Sequence, residues 1–167
     1  MIVQRTVLVV DEDEFEDHDM QHFDKCEVHP LPDHVKGIAS VRQWCVDNCQ
    51  TPYLFLIDDD MVFFKREELD IKLARTTDIE LEEMFHNLID WMENDNYPLV
   101  GVSARQGNNH VEQDYRDITR QMNFHGVDIE TFKEKGLRFD GSEVMEDFNL
   151  LLTMFTQGIP NRVYYQY

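Results

Sequence analysis

The run Tyr53-Leu54-Phe55-Leu56-Ile57 passes without a break into Asp58-Asp59-Asp60, and that junction constrains the chain more than any other part of it. Five apolar residues bounded by Pro52 and by acid fit a short, fully buried strand. Three adjacent carboxylates repel one another, so something has to neutralise them. In an open α/β sheet, ligands are held at the carboxyl ends of strands. If the extended geometry continued, Asp58 and Asp60 would face the same side. Hard oxygen donors of this kind suit Mn²⁺ or Mg²⁺, held by one or two carboxylates together with substrate phosphates. The bland alternative is an acidic loop that merely ends a strand. A triple Asp set between YLFLI and MVFF makes a poor solvated face, and we read it as a metal site.

Around that junction the chain alternates between two periods. Residues 6–10 (TVLVV) form a β-branched run ending at Asp11, the pattern of a buried strand. Asp33 is placed to cap a helix reaching about Asn48, with Ile38, Val41 and Cys45 at helical spacing and Trp44 beside them. Thr77-Asp78-Ile79-Glu80 fits a capping box, and Leu81, Met84, Phe85, Leu88 and Met92 follow as an apolar helical stripe. A turn over 94–98 leads to a strand over 99–104. A less regular stretch then carries residues 122–125, followed by a short helix ending at Gly136. The last helix is expected from Met145 or Glu146 to Gly158, with a closing strand over 162–167. Strands alternating with helices predict a three-layer α/β domain with a mostly parallel or mixed sheet. No repeat, low-complexity tract or linker divides it, so residues 1–167 are expected to form one domain.

Charge narrows the partners. The net charge is −19, which argues against broad attraction to nucleic acid or an anionic membrane. Residues 11–24 hold eight acids and no Lys or Arg, whereas residues 105–138 hold six basic residues against six acids. The second half could meet a phosphate-bearing partner that the first would repel; both stretches are equally open to being solvated surface. No apolar run reaches the roughly 18 residues that span a bilayer, and the N-terminus lacks the features of a signal peptide. Cys26, Cys45 and Cys49 form no CxxC pair, and reduced thiols in a cytosolic compartment are expected. His18 and His22 lie four apart but have no further ligand nearby, and we read them as surface residues. Asn108, Asn109 and His110 form either an acceptor loop or a plain turn.

Two further segments carry chemistry. Gly37, near the start of the Arg42 helix, would let a phosphate approach backbone amides. Arg42 could clamp an anion with its planar fork, its ordinary role being a surface salt bridge. Glu146 and Asp147 open the last helix, where the dipole favours carboxylates; capping alone would explain them. Alternatively, one serves as general base for an incoming hydroxyl. Two enzyme classes use the acidic junction. A DxD glycosyltransferase holds a cation that bridges a nucleotide-sugar diphosphate. A haloacid-dehalogenase-type phosphatase uses DxDx[TV], which Asp58-Asp59-Asp60-Met61-Val62 also satisfies, although no later Lys and Ser/Thr motif accompanies it.

The segments KGIASVRQWCVDN, YLFLIDDDMVFFKR, GVSARQGNNH and MEDFNLLLTMFTQGIPNRVYYQY together resemble a GT-A-type glycosyltransferase. More narrowly, they are similar to the TET/JBP-associated glycosyltransferases of bacteriophages and kinetoplastids, over most of the chain from about residue 6. The resemblance implies a Rossmann-like GT-A domain, a UDP-linked sugar donor, Mn²⁺ or Mg²⁺, and transfer onto a hydroxymethylpyrimidine in DNA. It implies a cytoplasmic protein, in the host cytoplasm if phage-encoded. By motif, Asp58, Asp59 and Asp60 would form the donor and metal site, with Asp58 and Asp60 the metal residues and Asp60 the direct ligand. Gly37 and Arg42 would lie at the donor diphosphate, and Val10, Asp11 and Glu12 would flank the nucleoside. Glu146 and Asp147 would match the acceptor-side acids, with Asp147 the base in an inverting enzyme. Arg105 and Gln106 would line the sugar or acceptor site. The pattern departs in that no His follows His125, and the chain is short for the fold, a minimal or C-terminally incomplete domain. A non-catalytic nucleotide-binding module of the same fold is the remaining alternative.

Overall fold

A computed structural model describes residues 6–10, 27–66, 73–104 and 113–167. Among these, the strands are β1 (Val7–Val10), β2 (Glu27–Pro30), β3 (Tyr53–Ile57), β4 (Phe64–Arg66), β5 (Leu73–Arg75), β6 (Leu99–Val102), β7 (Tyr115–Asp117), β8 (Phe124–Asp128) and β9 (Arg162–Tyr164). The helices are α1 (Ile38–Asn48), α2 (Asp78–Glu93), α3 (Ile129–Glu134) and α4 (Glu146–Thr156).

The central sheet runs β3-β8-β6-β9-β7. Only the β6–β9 pair is parallel; β3–β8, β6–β8 and β7–β9 are antiparallel. The sheet is mixed, as the alternation of elements predicts. Because β8 runs against both β3 and β6, the carboxyl ends of β3, β6 and β9 share one end of the sheet. That end carries Asp58.

Alternation along the strands builds two cores. Leu54, Leu56, Leu99 and Val127 face one side, with Val46 of α1, Phe132 of α3 and Leu150, Leu151 and Met154 of α4. Tyr53, Phe55, Val100, Val102, Phe124 and Tyr164 face the other, against Met84, Leu88 and Met92 of α2. These are the three layers expected of an α/β domain, and the fold is Rossmann-like. Phe124, Phe132 and Phe139 are fully buried, each stabilising the fold by about 1.5–3 kcal/mol on the transfer scale.

Local signals explain where several elements start and stop. Thr77 caps α2 with the complete capping box, its hydroxyl accepting from Glu80 N–H while the Glu80 carboxylate accepts from Thr77 N–H. Gly136 and Gly158 adopt left-handed φ of 66° and 72° just past α3 and α4.

Other expectations are corrected. Asp33 does not cap α1, which begins at Ile38 after Gly37 at φ 80°. The stripe Ile38, Val41, Cys45 is not its core face either. Ile38 is 47% exposed, and the buried positions are Ala39, Arg42, Gln43 and Val46. β3 is an edge strand of the five-stranded sheet, half-buried rather than fully buried. The stretch before α3 contains β8, a strand with neighbours on both sides. β1 does not join the central sheet but pairs in parallel with β2, and β4 and β5 form a separate antiparallel pair.

Candidate active site

The side chain that organises the polar end of the sheet is Arg42. It lies on the buried face of α1, with 6% of its surface exposed. Its Nη2 donates to Asp58 Oδ1 at 2.9 Å and its Nη1 to Glu146 Oε1 at 2.6 Å. The guanidinium therefore ties the carboxyl end of β3 to the first turn of α4. A surface salt bridge of this kind would contribute little. Here both Arg42 and Glu146 are buried, and each needs the other to offset the cost of lost hydration.

Neighbouring groups fix this arrangement. Gln43 Nε2 donates to Asp47, and Gln43 Oε1 accepts from the buried Phe139 N–H at 2.9 Å, anchoring α1 to the loop before α4. Arg138 grips Asp140 through two 2.7 Å bonds in the same loop, and this pairing holds the Asp140 carboxyl below its ordinary range. Met145 precedes α4 in the left-handed region at φ 55° without a side-chain cap. Glu146, in the first turn, is thus turned inward to Arg42.

The acidic junction folds differently from a continued strand. Asp58 N–H still donates to Asn123 O, across from the start of β8. The chain then turns, with Met61 N–H reaching back to Asp58 O at 3.3 Å. The extended geometry that would align Asp58 with Asp60 does not persist. Asp58 is half-buried and paired to Arg42, while Asp59 and Asp60 are exposed and make no ion pair among the described residues. Asp147 is half-buried and likewise carries no ion pair among them. Among the described residues no three His, Cys, Asp or Glu side chains are clustered as a ready-made metal cage. The oxygen donors of Asp58 and Asp60 nevertheless fit a cation that takes one or two carboxylates and completes its shell from phosphate and water.

Of the remaining sequence candidates, Val10 is buried, and its carbonyl accepts from Leu31 N–H at 2.8 Å. Gly37 sits at the mouth of α1 with open space where a Cβ would be. Asp11, Glu12, Arg105 and Gln106 lie outside the described residues, as do His18, His22, Cys26, Asn108, Asn109 and His110. Cys45 and Cys49 are free thiols, and burial pushes Cys45 up to about 11. A concave patch lined by Tyr115, Arg116 and Asp117 lies at the β7 edge, opposite β3, and holds none of the residues singled out from sequence. Among the described residues no helix is long and apolar enough to cross a membrane.

Sequence reasoning missed the polar network beneath Arg42. His125 on β8 is fully buried and pairs in register with Leu56, two residues before Asp58. Its ring meets the Phe139 ring edge to face at 5.3 Å. Burial, with a smaller contribution from the Arg42 charge, pushes its pKa down to about 3. Gln121 Nε2 faces His125 Nδ1 at 3.2 Å, and Asn161 donates to Gln121 Oε1 at 3.0 Å. His125 Nε2 has no hydrogen-bond partner among the described residues. A buried, unmatched polar atom costs about 1–3 kcal/mol. No periodicity could reveal this group, because its neighbours Gln121, Asn161 and Phe139 come from three separate loops.

Fold and site together define a Rossmann-like α/β domain whose polar centre lies at the carboxyl ends of its strands. A family model described as TET-Associated Glycosyltransferase matches residues 2–167, and the chain belongs to that family. It is a glycosyltransferase, which sets aside the phosphatase reading. A search of the curated proteins found no match.

Proposed function

We propose that the protein transfers a sugar from a UDP-linked donor, with Mn²⁺ or Mg²⁺, to a hydroxyl acceptor, a hydroxymethylpyrimidine in DNA. The observation that carries the reading is the Arg42 bridge. It spends Asp58 Oδ1 and Glu146 on structure and leaves Asp60 and Asp147 open beside them.

In this reading Asp60 is the direct metal ligand and Asp58 supports the cation from its Arg42-bound position. The ion, when bound, offsets charge that develops on the departing diphosphate. Arg42 adds positive charge at the same end of the sheet, and the open backbone at Gly37 admits a phosphate oxygen. Asp59 lies in the same exposed turn and contributes to the donor's binding. By family resemblance Val10, Asp11 and Glu12 are assigned to the nucleoside, and Arg105 and Gln106, after β6 in the sequence, to the sugar or acceptor.

Glu146 is buried against Arg42 and poorly placed to exchange a proton with an acceptor. Asp147, half-buried and without an ion-pair partner among the described residues, is the better base for an inverting transfer. On the acceptor side, the exposed Arg120 guanidinium lies 5.0 Å from the Phe148 ring centre, one residue beyond Asp147. An arginine on an aromatic ring suits a planar, phosphate-bearing acceptor better than the −19 net charge suggests.

A panel of UDP-sugars with Mn²⁺, read by mass spectrometry on hydroxymethylated and unmodified DNA, tests the proposal. A sugar-sized mass gain confined to hydroxymethylated DNA supports it. Transfer that persists with EDTA, or no transfer from any UDP-sugar despite UDP binding, overturns it.

A further inference from the structure

A chain of hydrogen bonds fixes which nitrogen of His125 carries the proton. Thr119 N–H can only donate, so the Asn161 atom facing it at 3.1 Å is the oxygen, Oδ1. Asn161 Nδ2 then donates to Thr119 O at 2.9 Å and to Gln121 Oε1 at 3.0 Å. That orients the Gln121 amide, whose Nε2 meets the carbonyls of Val100 at 2.7 Å and Phe124 at 3.1 Å. An amide nitrogen has hydrogens and no lone pair to offer. The two carbonyls match both amide hydrogens, and a hydrogen on His125 Nδ1 would point 3.2 Å away at a nitrogen that cannot accept it, which favours the neutral ring with its hydrogen on Nε2.

That hydrogen is a buried donor without an acceptor among the described residues. Its surroundings are nevertheless specific. The His125 ring packs on Phe139, Phe139 N–H is held by Gln43, and Gln43 adjoins Arg42 on the buried face of α1. Phe139 also shares a core with Leu150, Leu151 and Met154 of α4, the helix that Glu146 opens. Glu146 accepts from Arg42 at Oε1, and a carboxylate has about four lone-pair sites, so further donors can be taken. A buried carboxylate with one strong donor and a buried donor with none are complementary, and a water accepting from one and donating to the other satisfies both.

We propose that one ordered internal water joins His125 Nε2–H to the Glu146 carboxylate, making His125 a positioning residue for the Arg42–Glu146 pair. The Thr119–Asn161–Gln121–His125 chain then ends at the transferase site, and the orientation of Glu146 is set from inside the sheet. Nothing in this depends on which nucleotide or acceptor is used.

Nuclear magnetic resonance of the wild-type protein reads the link directly. Selectively labelled histidine should show His125 protonated at Nε2, a slowly exchanging Nε2–H proton with a cross-peak to a long-lived water, and a changed shift in Glu146→Gln. Protonation at Nδ1, or an Nε2–H shifted upfield over the Phe139 ring without a water contact, overturns the proposal. Kinetics supply a second reading. His125→Gln keeps a donor where Nε2 stood and should hold turnover within about threefold. His125→Asn, which does not reach that far, should lose about tenfold in kcat with the donor KM unchanged. Equal losses in the two variants, or a loss confined to KM, overturn the positioning role. The resonance measurements need no substrate, so they still decide the water link if the donor assignment fails.

Discussion

Arg42 and Glu146 stand 104 positions apart in the chain and share a buried 2.6 Å hydrogen bond between opposite charges. Each is positioned by the other, with Asp58 on Arg42 and the loop between α3 and α4 bracing both helices. Removing one partner leaves a charge in a poorly hydrated place, whereas removing both does not. Arg42→Met should lower stability by about 3–5 kcal/mol. The Arg42→Met/Glu146→Leu double variant should cost clearly less than the sum of the two single changes. Urea denaturation of the four proteins in a double-mutant cycle checks this, and strict additivity would count against a coupled pair.

Asp60 offers the opposite case. It is exposed and unpaired among the described residues, so Asp60→Asn should shift stability by no more than about 0.5 kcal/mol. If it holds the cation, the same change should remove the rise in melting temperature that UDP with Mn²⁺ gives the wild type. At ligand a hundredfold above Kd that rise corresponds to about 2.7 kcal/mol. Thermal melts with and without nucleotide and metal separate the two effects. An undiminished shift in Asp60→Asn would remove Asp60 from the donor site.

Acid should find out His125. Folded, the ring stays neutral down to about 3; unfolded, it binds a proton near the ordinary 6.5. Between those values the unfolded chain holds the extra proton. The stability is therefore complete above pH 6.5 and falls as pH drops toward 3, by up to about 1.4 kcal/mol per pH unit from this group. His125→Gln should flatten that part of the pH–stability curve relative to wild type. A histidine resonance that titrates near 6.5 at position 125 in the folded protein would refute the assignment.

Gly126 is the close-contact point of β8. A Cβ there would lie 2.7 Å from Val100 Cγ2 and 2.8 Å from Phe55 Cε1. Both neighbours are packed in the α2-side core, so Gly126→Ala should cost about 1–3 kcal/mol by overpacking. Gly136→Ala meets no atom but must hold φ 66°, and should cost about 1 kcal/mol from backbone strain alone. Chemical denaturation distinguishes the two, since a Phe55→Leu background should relieve only the first.

The parts of the fold that were legible in sequence are those whose signals are local. The Thr77–Glu80 box, the Met84–Leu88–Met92 stripe, the apolar run of β3 and the glycines ending α3 and α4 each need only their neighbours in the chain. β8 was not legible, because Phe124-His125-Gly126-Val127-Asp128 breaks its apolar run with a histidine and a glycine. Both make sense only once Gln121, Val100 and Phe55 are beside them. Helix α1 misled for a related reason. Its inward face carries Arg42 and Gln43, polar residues that are tolerable in a core only through partners about 100 positions away. At the site, sequence reasoning singled out Arg42, Asp58 and Glu146 separately, and the structure joins them by hydrogen bonds. It did not foresee the turn that parts Asp58 from Asp60.

The span between Arg42 and Glu146 also has a meaning in time. At about 5–20 residues per second of translation, Arg42 precedes Glu146 by roughly 5–20 seconds. Until then Arg42 has only Asp58, 16 positions on, to pair with, and its second carboxylate is missing. Closure of the site coincides with the arrival of α4, so an interrupted synthesis yields a product that lacks the clasp rather than a half-working catalyst.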